Sequence, residues 1–120
     1  MNTLLPEVLA IHADGTDRLV LSLHVQPALE YFEGHFAGLP LLPGVVQVDW
    51  AMRLGRRHLP VCGDFFSLDN LKFQDMIFPG AKVALALEWH AANGRLSFDY
   101  RQGDQPLSSG RICFVAGEIA

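Results

Sequence analysis

The sequence predicts an α+β domain, a mostly antiparallel sheet of about six strands with one long helix. Short segments in which apolar and polar residues alternate recur along most of the chain, as half-buried strands require. Turn residues separate them at hairpin spacing. A single stretch, residues 45–59, lacks both the alternation and any proline. At 120 residues there is room for one core, so residues 1–120 are expected to form a single domain.

Near the start, EVLAIHADGTDRLVLSLHV reads as two strands around the turn Asp14-Gly15, with Leu19, Leu21, Leu23 and Val25 on one buried face. A stretch rich in glycine and proline follows Pro27 and reads as loop as far as Pro43-Gly44. Pro43 stands where a helix N-terminus tolerates proline. VVQVDWAMRLGRRHL then predicts a helix from Val45 to about Leu59, ended by Pro60. Its first half is apolar nearly all round, which predicts burial on several sides. Its second half turns basic.

The rest of the chain reads as strands. FFSLDNLKFQD leads to the turn Pro79-Gly80, and KVALALEWH places Val83, Leu85, Leu87 and Trp89 on one face. Asn93-Gly94 is a two-residue hairpin signal before RLSFDY. A Gly103-Asp104 turn returns the chain into LSSGRICFVAGEI. One helix covers only part of such a sheet, so a dimer that protects the remainder is expected.

Composition narrows the function classes. A net charge of −4 argues against nucleic acid as the main partner. No apolar run approaches the roughly 18–20 residues that span a bilayer. The N-terminus lacks a basic region followed by an apolar block, so no signal peptide is expected and the expected compartment is the cytoplasm. Cys62 and Cys113 are isolated and are expected to be free, buried thiols. The histidines at 12, 24, 35, 58 and 90 show no metal-ligand spacing, and the glycine motifs of nucleotide sites and serine hydrolases are absent. Neither a metal nor a cofactor is expected.

Chemistry concentrates in EYFEGHFAGLPLLPGVVQVDWAM, residues 30–52. Asp49 lies among apolar side chains and must be paired or protonated. Arg53, four residues on, is the plain structural partner. His35 lies between Gly34 and Gly38, where backbone approaches a ligand closely; a structural histidine is the alternative. Gly44 opens the helix, where unpaired N–H groups and the helix dipole favour negative charge. Its N–H suits a substrate carbonyl oxygen, about 7–8 Å along the axis from Asp49.

At this point the chain resembles a known family. GHFAGLPLLPGVVQVDWAM is similar to the core motif of the hotdog-fold β-hydroxyacyl-acyl carrier protein dehydratases, GHFPGxPxxPGVxxxEAxxQ. LKFQDMIFPGAKVALALEW is similar to that family's later strand segment, so the resemblance covers most of the chain. It implies a curved sheet wrapped around a long central helix. It also implies a homodimer or a heterodimer with a homologue, with sites at the interface.

The implied reaction is dehydration of a 3-hydroxyacyl thioester to the trans-2-enoyl thioester. The resemblance makes His35 the catalytic histidine, Asp49 the catalytic acid and Gly44 the donor to the thioester carbonyl. Phe36, Val45, Val48 and Trp50 would wall the acyl tunnel. Arg53, Arg56 and Arg57 would suit an acidic acyl carrier protein as partner, although cations also simply favour a helix C-terminus. Three departures stand out: Ala37 replaces proline, Trp50 replaces alanine and Arg53 replaces glutamine. They suggest a specialised branch such as the aryl-polyene dehydratases. A thioesterase on the same fold and a non-catalytic acyl-binding subunit are the rival functions.

Overall fold

The computed structural model describes residues 4–29 and 41–116. The elements run β1 (Glu7–Ala13), β2 (Arg18–His24), α1 (Gly44–His58), β3 (Asp64–Phe73), β4 (Lys82–His90), β5 (Arg95–Gln102) and β6 (Gln105–Val115). The six strands form one sheet in the order β1-β2-β4-β5-β6-β3, and each neighbouring pair is antiparallel. β2 and β4 pair directly, from Arg18↔Glu88 to His24↔Lys82. The segment bearing α1 and β3 is therefore an excursion that crosses the sheet and returns along its far edge. The fold is the hotdog class, with α1 lying against β4 and β5.

The alternating strands bury the faces their patterns predict. Leu19, Leu21, Leu23, Val83, Leu85, Leu87 and Trp89 all enter the core, joined from β5 and β6 by Leu96, Phe98, Tyr100 and Ile112. Phe98 and Tyr100 meet edge to face, as do Trp89 and Phe114. Of the two hairpins of the second half, the first differs from expectation and the second matches it. Asn93-Gly94 belongs to a four-residue connection, since the strands close on the pair His90↔Arg95, with Gly94 N–H donating to His90 O. The two-residue turn is Gly103-Asp104, closed by Gln102↔Gln105 with Gly103 at φ +60°.

The helix starts one residue earlier than expected, at Gly44, with Pro43 extended at the N-cap position. It ends where Leu59 N–H bonds back to Gly55 O, just before Pro60, with Arg56, Arg57 and His58 in its last turn. One face is buried: Val46, Gln47, Val48, Trp50, Ala51, Leu54 and Gly55. Gly55 allows the axis close to the sheet, because a Cβ there would lie 2.6 Å from Leu96 Cδ2. The expected all-round burial does not hold. Val45 is 76% exposed, and the half-exposed Asp49 and the exposed Arg53 continue the same open stripe at helical spacing. The sheet covers one side of α1, and Val45 and Arg53 on the other are exposed.

The β3 edge is also uncovered. Phe65, Phe66, Leu68, Leu71 and Phe73 are all exposed along it. Register against β6 shifts twice, between Phe65 and Ser67 and between Asp69 and Lys72, and the second shift contains Asn70, which among the described residues is the non-glycine residue with positive φ. The cysteines are free, yet Cys62 is exposed and Cys113 half-buried, which corrects the expectation of two buried thiols. Among the described residues no helix is long and apolar enough to cross a membrane.

Candidate active site

The open N-terminus of α1 is built by Pro43 and Gly44. Pro43 O accepts from the N–H groups of Val46 and Gln47, at 3.1 and 3.2 Å. Among the described residues no side chain caps this end, and no acid lies in its first turn. The first N–H groups, Gly44's among them, have no intrahelical acceptor, so the end of the helix attracts an oxygen that carries negative charge. Gly44 lies against the exposed Phe73 ring. A Cβ there would fall 2.8 Å from the Phe73 ring, so a side chain would drive that ring off the helix.

A groove of about 230 Å³ runs from this point between α1 and the β3 edge. Gly44, Val45, Val48, Leu68, Leu71 and Phe73 line it, and its walls are almost wholly apolar. Asp49 lies beside Val45 and Val48 on the helix, five residues from Gly44. Its carboxylate accepts from Arg53 Nε at 2.8 Å, and its side chain is 36% exposed. Both readings of Asp49 thus meet in one place: it is paired with Arg53, and it stands on the open stripe next to an apolar groove. The expectation that it is buried fails in the single chain, because the stripe that carries it faces outward.

The remaining expected site residues separate. Val45 and Val48 line the groove with Gly44. Trp50 points the other way, is fully buried and donates its indole N–H to Leu4 O at 2.9 Å. Arg56 donates to Gly63 O at 2.9 Å and stacks its guanidinium 4.9 Å above the Phe114 ring, tying the helix end to the sheet. Arg57 is exposed. His35 and Phe36 lie outside the described residues. Among those described, no group of three or more possible metal ligands occurs.

A buried polar cluster behind the site escaped the reading of the sequence. Gln47 donates its amide to Leu42 O at 3.1 Å and accepts from Ser108 Oγ at 2.6 Å. Tyr100 donates its hydroxyl to Gln47 O at 2.7 Å. Burial first, and then the negative charge of Asp49, push the Tyr100 pKa well above its ordinary value, so the hydroxyl remains a donor. The signal was an amide inside VVQVDW, a run predicted to be buried in which Asp49 is the other polar side chain.

An antiparallel sheet crossed by one helix, with an acid beside an apolar groove at the open end of that helix, is the framework of the hotdog thioester dehydratases. The comparisons narrow the class. Residues 11–111 match the ApeI-like family, described as ApeI dehydratase, and the chain belongs to that family. Of the solved structures, an uncharacterised protein from Erwinia carotovora subsp. atroseptica is 42% identical, covers 93% of this chain and 97% of its own, and superposes with a TM-score of 0.83. The dehydratase heterocomplex ApeI:P from Xenorhabdus doucetiae is 33% identical, with a TM-score of 0.84 over 90% of this chain and 96% of its own.

Curated relatives named 3-hydroxyacyl-acyl-carrier-protein dehydratase FabZ also match. That of Erythrobacter litoralis is 34% identical over 56% of this chain, which spans half the relative's length. That of Bacillus pumilus is 28% identical over 92% of this chain and 74% of its own length. The chain therefore stands among enzymes of the 3-hydroxyacyl thioester dehydratase class.

Proposed function

We propose that this chain dehydrates a 3-hydroxyacyl thioester, delivered on an acyl carrier protein, to the trans-2-enoyl thioester. The reading rests on one observation above all: in a chain of the ApeI-like family, an apolar groove lined by Gly44, Val45 and Val48 opens at the helix N-terminus, with Asp49 the next residue along the helix after Val48. Gly44 N–H receives the thioester carbonyl oxygen. His35 takes the proton from the carbon next to that carbonyl. The freed electron pair forms the new double bond, and the bond to the β-hydroxyl breaks. Asp49, in its protonated form, supplies the proton with which the hydroxyl leaves as water, and the proton taken by His35 returns to Asp49 to reset the site.

The uncovered stripe of α1 and the apolar β3 edge favour assembly with a second hotdog subunit, either another copy or a homologue. That subunit would close the groove and bring its own histidine loop to Asp49. Arg57, with Arg53 and Arg56 behind it, gives the helix C-terminus a positive surface suited to an acidic carrier protein. The aryl-polyene type of biosynthesis in the cytoplasm is the matching setting.

The Asp49–Arg53 contact favours a second reading, a subunit whose acid is silenced and whose partner is active. Substitutions distinguish the two. General acid–base assistance is typically worth about 10²–10⁴-fold, so His35→Ala and Asp49→Ala should each lower kcat by about that factor without unfolding the chain. A folded His35→Ala protein with wild-type turnover would remove the catalytic assignment. Arg53→Gln, which restores the residue of the family motif, should change the rate modestly in an active enzyme. Its creating turnover from an inactive baseline would favour the silenced subunit.

A further inference from the structure

Gln47 is out of place as a packing residue. It is only 3% exposed, and Met or Leu would fill similar volume without a polar group to satisfy. Each of its polar bonds ties a different part of the fold. Its amide N–H holds Leu42 O, its amide oxygen is held by Ser108 on β6, and its main-chain carbonyl is held by Tyr100 on β5. Leu42 is fixed at its other end as well, since its N–H donates to Ile77 O at 2.8 Å. The approach to the helix is thus pinned two residues before Gly44, and the pin stands two residues before Asp49. Among the described residues no side-chain cap bond holds the helix start, and this cluster ties its first turns to the sheet. An oxyanion donor works only within a few tenths of an ångström of its acceptor.

We propose that Gln47 is a positioning residue for the dehydration, acting with Ser108 and Tyr100 to fix Gly44 N–H and Asp49 against the groove. It rests on the function proposed above. Gln47 touches no substrate; it acts through the placement of two groups that do. Loss of the amide lets the Leu42–Gly44 segment shift, which weakens the transition state more than the bound substrate.

The experiment measures kcat, KM and thermal unfolding for wild type, Asp49→Ala, Gln47→Met, Ser108→Ala and the Gln47→Met/Ser108→Ala double variant. The probe is the 3-hydroxydecanoyl thioester of N-acetylcysteamine. Misplacing a catalytic group by about 1 Å costs up to about 10²-fold, so Gln47→Met should lower kcat by about 10- to 100-fold with KM little changed. Ser108→Ala should move kcat the same way by a smaller factor. The double variant should be no slower than Gln47→Met alone, because both residues act along one path. Ser108→Ala carries the test alone if Gln47→Met does not fold. Loss of thermal stability with unchanged kcat per folded molecule would reduce Gln47 to a structural role and overturn the proposal. A wild type without turnover would overturn the function and this role together, whereas an active wild type with an inactive Asp49→Ala and a normal Gln47→Met would overturn only this role.

Discussion

Tyr100 shows how a single residue links the core to the site. It is fully buried, donates to Gln47 O, and senses Asp49 strongly enough that the carboxylate adds to the rise in its pKa. The unfolded chain ionises this tyrosine near pH 10, whereas the folded chain does so only well above that. The unfolded state therefore releases the proton first, and this contribution to stability is full below about pH 10 and is lost as pH rises from there towards the folded value. Tyr100→Phe should flatten the alkaline decline seen in denaturant midpoints while lowering stability at pH 7 by about 0.5–1.5 kcal/mol for the lost hydrogen bond. An alkaline decline of unchanged steepness in Tyr100→Phe would show that another group is responsible. The sequence marked Asp49, Arg53 and Gly44 because their types and spacing carry chemical meaning on one helix. It hid Tyr100 and Ser108 because their partner, Gln47, lies more than fifty residues away in the chain.

At the scale of elements, α1 was legible from Pro43, Pro60 and the run between them, and its ends moved by only one residue. Which sides it buries was not legible. Val45 reads as apolar wherever it points, and only the topology decides that it faces away from β4 and β5. The hairpins carry a similar lesson. Asn93-Gly94 has the chemistry of a two-residue turn, but the pairing His90↔Arg95 sets a longer connection in which Gly94 alone takes positive φ. Close helix–sheet contact depends on Gly55. Gly55→Ala should push Leu96 or lift the helix, lowering stability by about 1–3 kcal/mol as overpacking does. Calorimetry would measure this, and an unchanged or raised Tm would mean that Leu96 moves aside freely.

For the molecule as a whole, the open features lie together: the α1 stripe, the groove, and the apolar β3 edge with its exposed phenylalanines. A long apolar edge left bare invites pairing with another chain. A charged substitution such as Phe66→Lys or Leu68→Lys should shift sedimentation from dimer to monomer at micromolar concentration and lower activity with it. Full activity in a demonstrated monomer would mean that one chain holds a complete site. The family resemblance was readable because GHFAGLPLLPGVVQVDWAM gathers its chemistry into one segment, and the later segment from Leu71 supports it. How His35 would complete the site belongs to the proposed function, because His35 lies outside the described residues.

Product analysis tests the central claim most directly. The purified protein is incubated with 3-hydroxyacyl chains on an acyl carrier protein, and the carrier-bound product is followed by mass. The account predicts loss of one water with the thioester intact, reversible when enoyl substrate is supplied instead. Release of free carrier thiol with the hydroxyl retained on the acid would contradict it and make the protein a thioesterase.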